Sequence, residues 1–404
     1  MRYPTNAAKV LSPARVANKD TFYHPELDVL RFAAFLAVFI HHALPRDASL
    51  YIANGLSPAV TRWLLNVKEA GAFGLDLFFA LSAYLITELL LREHAQRGTF
   101  SISNFYVRRA LRIWPLYFAF LALTVFVIPT LIPAERFGPI YIVSFALFVG
   151  NWVCATHGLP FSVASPLWSI SVEEQFYIGW PLLLWFCGVN RLKQLAIAML
   201  LLAVLTRIGL AVYGVAHPGV WCNTIARLDP IALGAILAFT LKGRAPQIGN
   251  TLRVIMCVAA FVTWLLTARY FSHAGPTSIA TFALSGFASV LLLSAVLRSE
   301  ARLLSIPPFS WLVYLGRISY GLYVFHLLAL TLMAQVLVIP VLGVQLNFHS
   351  RFVLSFLLTV AFAMVSYKVL ELPFLRLKDR FRPASKREPQ YQFTETKPLT
   401  HNAS

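Results

Sequence analysis

Residues 26–42 read Glu-Leu-Asp-Val-Leu-Arg-Phe-Ala-Ala-Phe-Leu-Ala-Val-Phe-Ile-His-His, an apolar run with acids and an arginine at its start and two histidines at its end. On a helix of about 3.6 residues per turn, Arg31 and His42 lie three turns plus about 20° apart, so they share one face. The rise between them is about 16 Å, roughly half the thickness of a bilayer's hydrocarbon. His41 points about 100° away from that stripe, so only one of the two histidines aligns with Arg31. Ionisable side chains within apolar spans cost several kcal/mol unless they are paired or face a wet cavity, which makes the stripe a candidate functional feature. A plain structural account competes with it: His42 hydrogen-bonds near a helix end while Arg31 reaches a lipid phosphate.

The surrounding chain fits a membrane setting. Of its 404 residues 58% are hydrophobic and 13% charged, and the mean hydropathy is +0.68, leaving too little polar surface for a soluble protein of this size. Apolar runs recur near 28–45, 72–91, 111–132, 138–152, 168–188, 194–213, 228–241, 254–268, 278–297, 318–342 and 352–371. The expected fold is therefore all-α, a polytopic transmembrane helical bundle. The formal charge of +17 sits in short loops beside apolar runs, as topology signals do, so no nucleic-acid partner is expected. Cys154, Cys187, Cys222 and Cys257 have no paired spacing, so neither a disulfide framework nor a metal site is indicated. The first twenty residues lack the apolar core and small-residue cleavage site of a secretory signal.

The run near 138–152 is among the shortest, contains Asn151 and is followed by Gly158, Pro160 and Pro166, which suits a re-entrant or interfacial segment. With that run not crossing, about ten spans remain and both termini fall on the side richer in Lys and Arg, the cytoplasmic one. The organisation expected is a polar cytoplasmic segment over 1–25, a membrane domain over 26–373, and a basic, disordered cytoplasmic tail over 374–404. No internal repeat stands out, which weighs against a transporter of the inverted-repeat kind.

Other polar residues interrupt the apolar runs. Arg109 and Arg112 sit at i and i+3 ahead of Pro115, and paired guanidinium forks suit phosphates, although an anchor at the inner leaflet explains them as simply. Glu173 and Glu174 head an apolar helix, where the helix dipole favours one acid. With Trp168 and Gln175 alongside, two acids also resemble a carbohydrate-facing site. Asp76 and Ser82 fall inside an apolar segment, and Arg227 and Asp229, two residues apart, are placed to neutralise each other. His326, among aromatics, reads as a structural histidine donating to a carbonyl.

Together these motifs resemble acyltransferase family 3, membrane enzymes that O-acylate lipopolysaccharide, exopolysaccharide and related glycans. The resemblance runs from about Glu26 to Pro373. It is carried by the Arg31 and His42 spacing, by Gly74-Leu75-Asp76-Leu77-Phe78-Phe79-Ala80-Leu81-Ser82-Ala83-Tyr84-Leu85-Ile86, by Arg109/Arg112, by Leu167-Trp168-Ser169-Ile170-Ser171-Val172-Glu173-Glu174-Gln175-Phe176-Tyr177, and by Ser319-Tyr320-Gly321-Leu322-Tyr323. Ala83 departs from the family's usual glycine.

The resemblance implies His42 in the catalytic place, Arg109 and Arg112 at the acyl donor, and an acidic motif at Glu173 and Glu174, from which Glu174, or Glu173, is expected to join the catalytic group by orienting the His42 imidazole or holding the acceptor. From it follow the expectations of an O-acyltransferase in the inner membrane of a bacterium, with acyl-CoA (acetyl-CoA by default) as co-substrate, no permanently bound cofactor and a glycan acceptor. Arg31 joins the expected donor site. Asp76, Ser82, Trp168, Gln175, Arg227, Asp229 and His326 are acceptor or structural candidates. Some relatives carry an extra extracytoplasmic esterase-like domain, which is not expected before the chain's end at Ser404. The competing readings are a transporter or flippase for a lipid-linked glycan, which would use the same buried charges as a path, and a non-catalytic scaffold.

Overall fold

A computed structural model describes residues 24–133, 135, 137–244, 246–270, 272–297, 309–335 and 348–381. The polar N-terminal segment up to residue 23, most of the basic tail and the end of the run near 318–342 lie outside the described residues. Every described apolar run is helical, and no strand occurs among the described residues. In chain order the helices are α1 (Pro25–Ala43), α2 (Ala48–Ala53), α3 (Pro58–Gly71), α4 (Gly74–Arg97), α5 (Ile102–Phe126), α6 (Ile128–Leu131), α7 (Pro139–Ala146), α8 (Gly150–His157) and α9 (Leu167–Cys187). They continue as α10 (Leu192–Val212), α11 (Leu228–Leu241), α12 (Asn250–Tyr270), α13 (Ser278–Val296), α14 (Phe309–Arg317), α15 (Ser319–Gln335), α16 (Phe348–Ser366) and α17 (Leu372–Lys378).

Six helical stretches among the described residues are long and apolar enough to cross a membrane, and a seventh if α14 and α15, bent by 79°, form one broken span. The chain is a multi-pass membrane protein. The count by this measure is smaller than the ten read from the sequence, and the shortfall has a physical pattern. Helix α1 carries Glu26, Asp28 and Arg31, α9 is interrupted by Glu173, Glu174 and Gln175, and α11 has only 14 residues. These polar or short helices are sheltered by others. The apolar windows of α10, α12 and α16 are only 17% buried, whereas that of the stretch Pro58–Arg97 is 72% buried. Exposed Leu201, Leu205, Val258, Phe261 and Leu357 thus form an apolar outer surface, and α4 runs through the middle.

Close helix crossings hold α1 in that middle. A Cβ on Gly74 would lie 2.4 Å from the Ala34 carbonyl oxygen, and one on Gly316 would lie 1.8 Å from that of Asp28. Gly316 therefore lets α14 cross the start of α1 backbone to backbone. Gly316→Ala is expected to push the two helices apart and cost about 1–3 kcal/mol, read as a lower thermal midpoint in detergent.

The 138–152 segment folds as α7 and α8, each of eight residues and about 12 Å long, too short to span. Phe148 turns between them with a φ of 55°. The hairpin is tied to its neighbours: Tyr117 donates to the Phe145 carbonyl at 2.8 Å, and Gln175 donates to that of Phe148 at 2.8 Å.

Candidate active site

Two partly open cavities lie along α1, one at each end of the Arg31–His42 stripe. The first, of about 100 Å³, is walled by Arg31, Arg109, Arg112, Ser82, Glu173, Tyr177, Ser319, Tyr320 and apolar neighbours. The second, of about 390 Å³, is walled by His41, His42, Arg46, Glu69, Trp168, His217, Trp221, His273 and others. Leu75 and Tyr323 line both.

The arginine cavity is built where α4 turns into α5. Gly98, with a φ of 76°, ends α4 in the left-handed conformation that glycine adopts at little cost, and Ser101 caps α5 by accepting from the Asn104 amide at 3.3 Å. Arg108 is neutralised by Glu93 at 3.3 Å and donates to the Phe381 carbonyl at 3.0 Å. One turn of spacing puts Arg109 and Arg112 on the cavity side instead. The Arg109 guanidinium lies over the rings of Phe105 and Tyr177, at 5.6 and 5.7 Å from their centres. Arg31 donates to Asp28 at 2.7 Å, so it enters the wall already paired. Arg112 has no ion-pair partner among the described residues.

Glu173 belongs to this cavity. It accepts from Ser82 at 3.0 Å and from Tyr177 at 2.9 Å, a closed trio in which Tyr177 sits one turn along α9. Glu174 faces the other way and is buried, with one oxygen accepting from the Trp114 indole at 3.1 Å and the other without a partner among the described residues. The sequence reading allowed either acid to orient the His42 imidazole. Neither is bonded to it among the described residues: Glu173 lines the arginine cavity, and Glu174 is turned to Trp114.

At the other end, His42 is exposed to its cavity, while His41 is half-buried and bonds through Nδ1 to the Lys68 carbonyl at 2.9 Å. The ring of His42 has those of His41 and His326 as neighbours, at 5.0 and 5.1 Å between centres. Trp168 is buried in the cavity wall and packs against Trp221 at 6.0 Å. Two imidazoles come from loops. Burial holds His273 down at about 4, with Arg227 and His217 adding to the shift, and burial together with Arg46 lowers His217. Both are neutral near pH 7 and can donate or accept hydrogen bonds.

The remaining candidates are structural ties. Arg227 pairs with Asp76 at 2.6 Å, and Ser285 donates to the second Asp76 oxygen at 2.7 Å. Asp229 pairs instead with Arg207 through both oxygens, at 2.9 Å for one of them. The expected Arg227–Asp229 pair is thus replaced by two crossed pairs, because the short helical turn Ile225–Arg227 precedes α11 and directs the neighbouring side chains to different helices. Arg227 also lies 4.2 Å from the centre of the Trp221 ring, behind the histidine cavity. Gln175 bonds Asn151 and Thr224 and lines neither cavity. His326 donates to the Tyr323 carbonyl, the expected bond, and in addition stands beside His42.

Some lining residues carried little weight in the sequence. Tyr177 and Tyr323 stand in the quoted motifs, and the i, i+4 spacing of Glu173 and Tyr177 was a usable signal. His217, Trp221 and His273 lie in loops without periodicity, so only the folded chain brings them to the cavity.

A family model described as an acyltransferase domain matches residues 24–368, nearly the whole membrane part. The chain belongs to acyltransferase family 3. It is 28% identical over 381 residues to the peptidoglycan O-acetyltransferase OatA of Listeria monocytogenes, covering 87% of this chain and 56% of that protein. It is 26% identical over 376 residues to the O-acetyltransferase OatA of Staphylococcus aureus, covering 87% of this chain and 57% of that protein. The chain therefore spans a little over half the length of these relatives. No solved structure matches it.

Proposed function

We propose that this acyltransferase family 3 chain moves an acyl group from acyl-CoA, entering at the arginine cavity, to a glycan hydroxyl held in the histidine cavity. The observation that carries the reading is the pair of cavities on one α1 stripe, guanidinium groups in one and an exposed imidazole in the other, meeting only at Leu75 and Tyr323. The names of the relatives support acetyl as the group, and the peptidoglycan acceptor of the Listeria protein supports a glycan. In this reading the basic end faces the cytoplasm, about ten helices cross the inner membrane with both termini inside, and α7–α8 is a re-entrant hairpin.

Arg109 and Arg112 hold the donor's phosphates, with Arg31 beside them, and the pantetheine arm passes Tyr323 so that the thioester reaches His42. Neutral His42 takes the proton of the acceptor hydroxyl as its oxygen attacks the thioester carbonyl. The C–S bond then breaks, the ester C–O bond remains, and the imidazolium returns its proton to the departing thiolate to give free CoA. Trp168 and Trp221 offer apolar faces to a sugar ring, and the neutral loop imidazoles offer hydrogen bonds to its hydroxyls.

The deciding experiment supplies the purified full chain in detergent with acetyl-CoA and a peptidoglycan or polysaccharide acceptor. Acceptor-dependent release of CoA thiol is expected. Binding of glycan with no thiol release would instead favour a transporter. Arg112→Ala is expected to raise the KM for acetyl-CoA by about tenfold to a hundredfold, one charge-assisted contact, with kcat much less affected because the reacting atoms lie beyond Tyr323. Initial rates against acetyl-CoA concentration check it.

A further inference from the structure

The base role proposed for His42 leaves one requirement unmet, and the inference here rests on that role. A neutral imidazole takes a proton on one nitrogen while the other carries its own, and an acceptor at that second N–H supplies the fixed tautomer and aim that an oriented base requires. His42 has no hydrogen-bond partner among the described residues, and the two carboxylates of α9 are engaged elsewhere, Glu173 with Ser82 and Tyr177, Glu174 with Trp114.

One acceptor does stand beside it. His326 on α15 is fully buried, and its Nδ1 is bonded to the Tyr323 carbonyl, an oxygen that can only accept. Nδ1 must therefore carry the hydrogen, which leaves Nε2 of the neutral ring as a bare acceptor. That Nε2 is buried and has no partner, an arrangement that is costly unless something uses it. The His42 ring lies 5.1 Å away between centres with a tilt of 43°, and it is exposed to the cavity, so a rotation about its side-chain bonds can bring a ring N–H to that nitrogen.

We infer that His326 is the positioning residue of the site, its Nε2 accepting from His42 so that the opposite nitrogen of His42 faces the acceptor hydroxyl. The arrangement suits its surroundings. A neutral acceptor orients the base without placing an unpaired anion between the helices, where a carboxylate would need its own cation. Among the other polar groups around His42, Lys68 is bonded to Glu69 and Arg46 can only donate; His41 also has its Nδ1 on a carbonyl, but it is half-buried and lines the cavity, where water can serve its Nε2, whereas the Nε2 of His326 is fully buried and unserved.

Two substitutions separate orientation from packing. His326→Asn keeps a donor where Nδ1–H bonds the Tyr323 carbonyl and removes the acceptor at Nε2, whereas His326→Gln can carry an amide oxygen to the Nε2 position. With the full chain in detergent and acetyl-CoA as donor, His326→Asn is expected to lower kcat about a hundredfold, leave the KM for acetyl-CoA within about threefold and move the pH profile of kcat, while His326→Gln recovers about tenfold of the loss. Equal losses in both variants, or an unmoved profile in His326→Asn, would overturn the inference. Should either variant fail to insert, histidine-selective ¹⁵N spectra of the unsubstituted chain and of His42→Ala decide: the His326 Nε2 resonance must move when His42 is removed, and an unmoved resonance rejects the contact. Transfer surviving in His42→Ala would instead reject the base role itself, and transfer lost there but unaffected in His326→Asn rejects only the positioning role.

Discussion

His42→Ala is expected to lower acyl transfer by about 10²- to 10⁴-fold, with the protein inserted and folded as before, while His41→Ala keeps most of the activity. The two residues are adjacent and both line the same cavity, so proximity alone does not separate them. Their bonding does. The Nδ1 of His41 is bound to the Lys68 carbonyl at 2.9 Å and helps fasten α3 to α1. Losing it removes one neutral hydrogen bond, worth about 1 kcal/mol, from a contact that Gly71 already packs closely against the α1 backbone. The His42 ring is the exposed one and makes no such bond, so its loss removes chemistry rather than structure. The measurement is the rate of thiol release per mole of folded protein for the two variants and the unsubstituted chain. Full activity in His42→Ala together with loss in His41→Ala would exchange the two assignments.

How much of this was legible beforehand follows from where the information resides. Hydrophobic runs report burial in lipid, so helix existence was plain from residues 26–42 onward, and the 138–152 run was set apart by its short length together with the Gly158, Pro160 and Pro166 that follow it. The count of crossings was less secure because α1, α9 and α11 bear the polar residues or the short length that a sheltered position permits; hydropathy reads the same features as evidence against a span. The Arg31–His42 stripe was legible because a helix fixes it within one segment. The partners of buried charges were not, since Asp76 meets Arg227 across 151 positions and Arg207 meets Asp229 across 22. Sequence proximity favoured Arg227 with Asp229, and the packing of α4, α10 and α11 chose otherwise. The same limit applies to Glu173 and Glu174. Adjacent residues on a helix point about 100° apart, so one entered the arginine cavity and the other turned to Trp114.

The crossed pairs make the second large prediction, one of stability rather than of rate. Arg227 and Asp76 are fully or almost fully buried, at 0% and 1% exposure, and Arg207 is equally enclosed at 0%. Arg227→Ala leaves the Asp76 carboxylate with only the Ser285 hydroxyl and no cation of its own, and breaking such a pair costs about 3–5 kcal/mol. The cost should appear as a markedly lower thermal midpoint in detergent and reduced recovery of folded protein. Arg227 also closes the back of the histidine cavity through Trp221, at 4.2 Å from its ring, so whatever activity survives should show a raised KM for the acceptor rather than for acetyl-CoA. Replacing both partners, Asp76→Leu with Arg227→Leu, removes the stranded charge and is expected to restore much of the lost stability while leaving the acceptor defect. The pairing itself is read from coupling energies: Asp76→Ala should couple strongly with Arg227→Ala and more weakly with Arg207→Ala. Equal coupling to both arginines would mean the four charges act as one undivided cluster, and stronger coupling to Arg207 would reverse the assignment of partners.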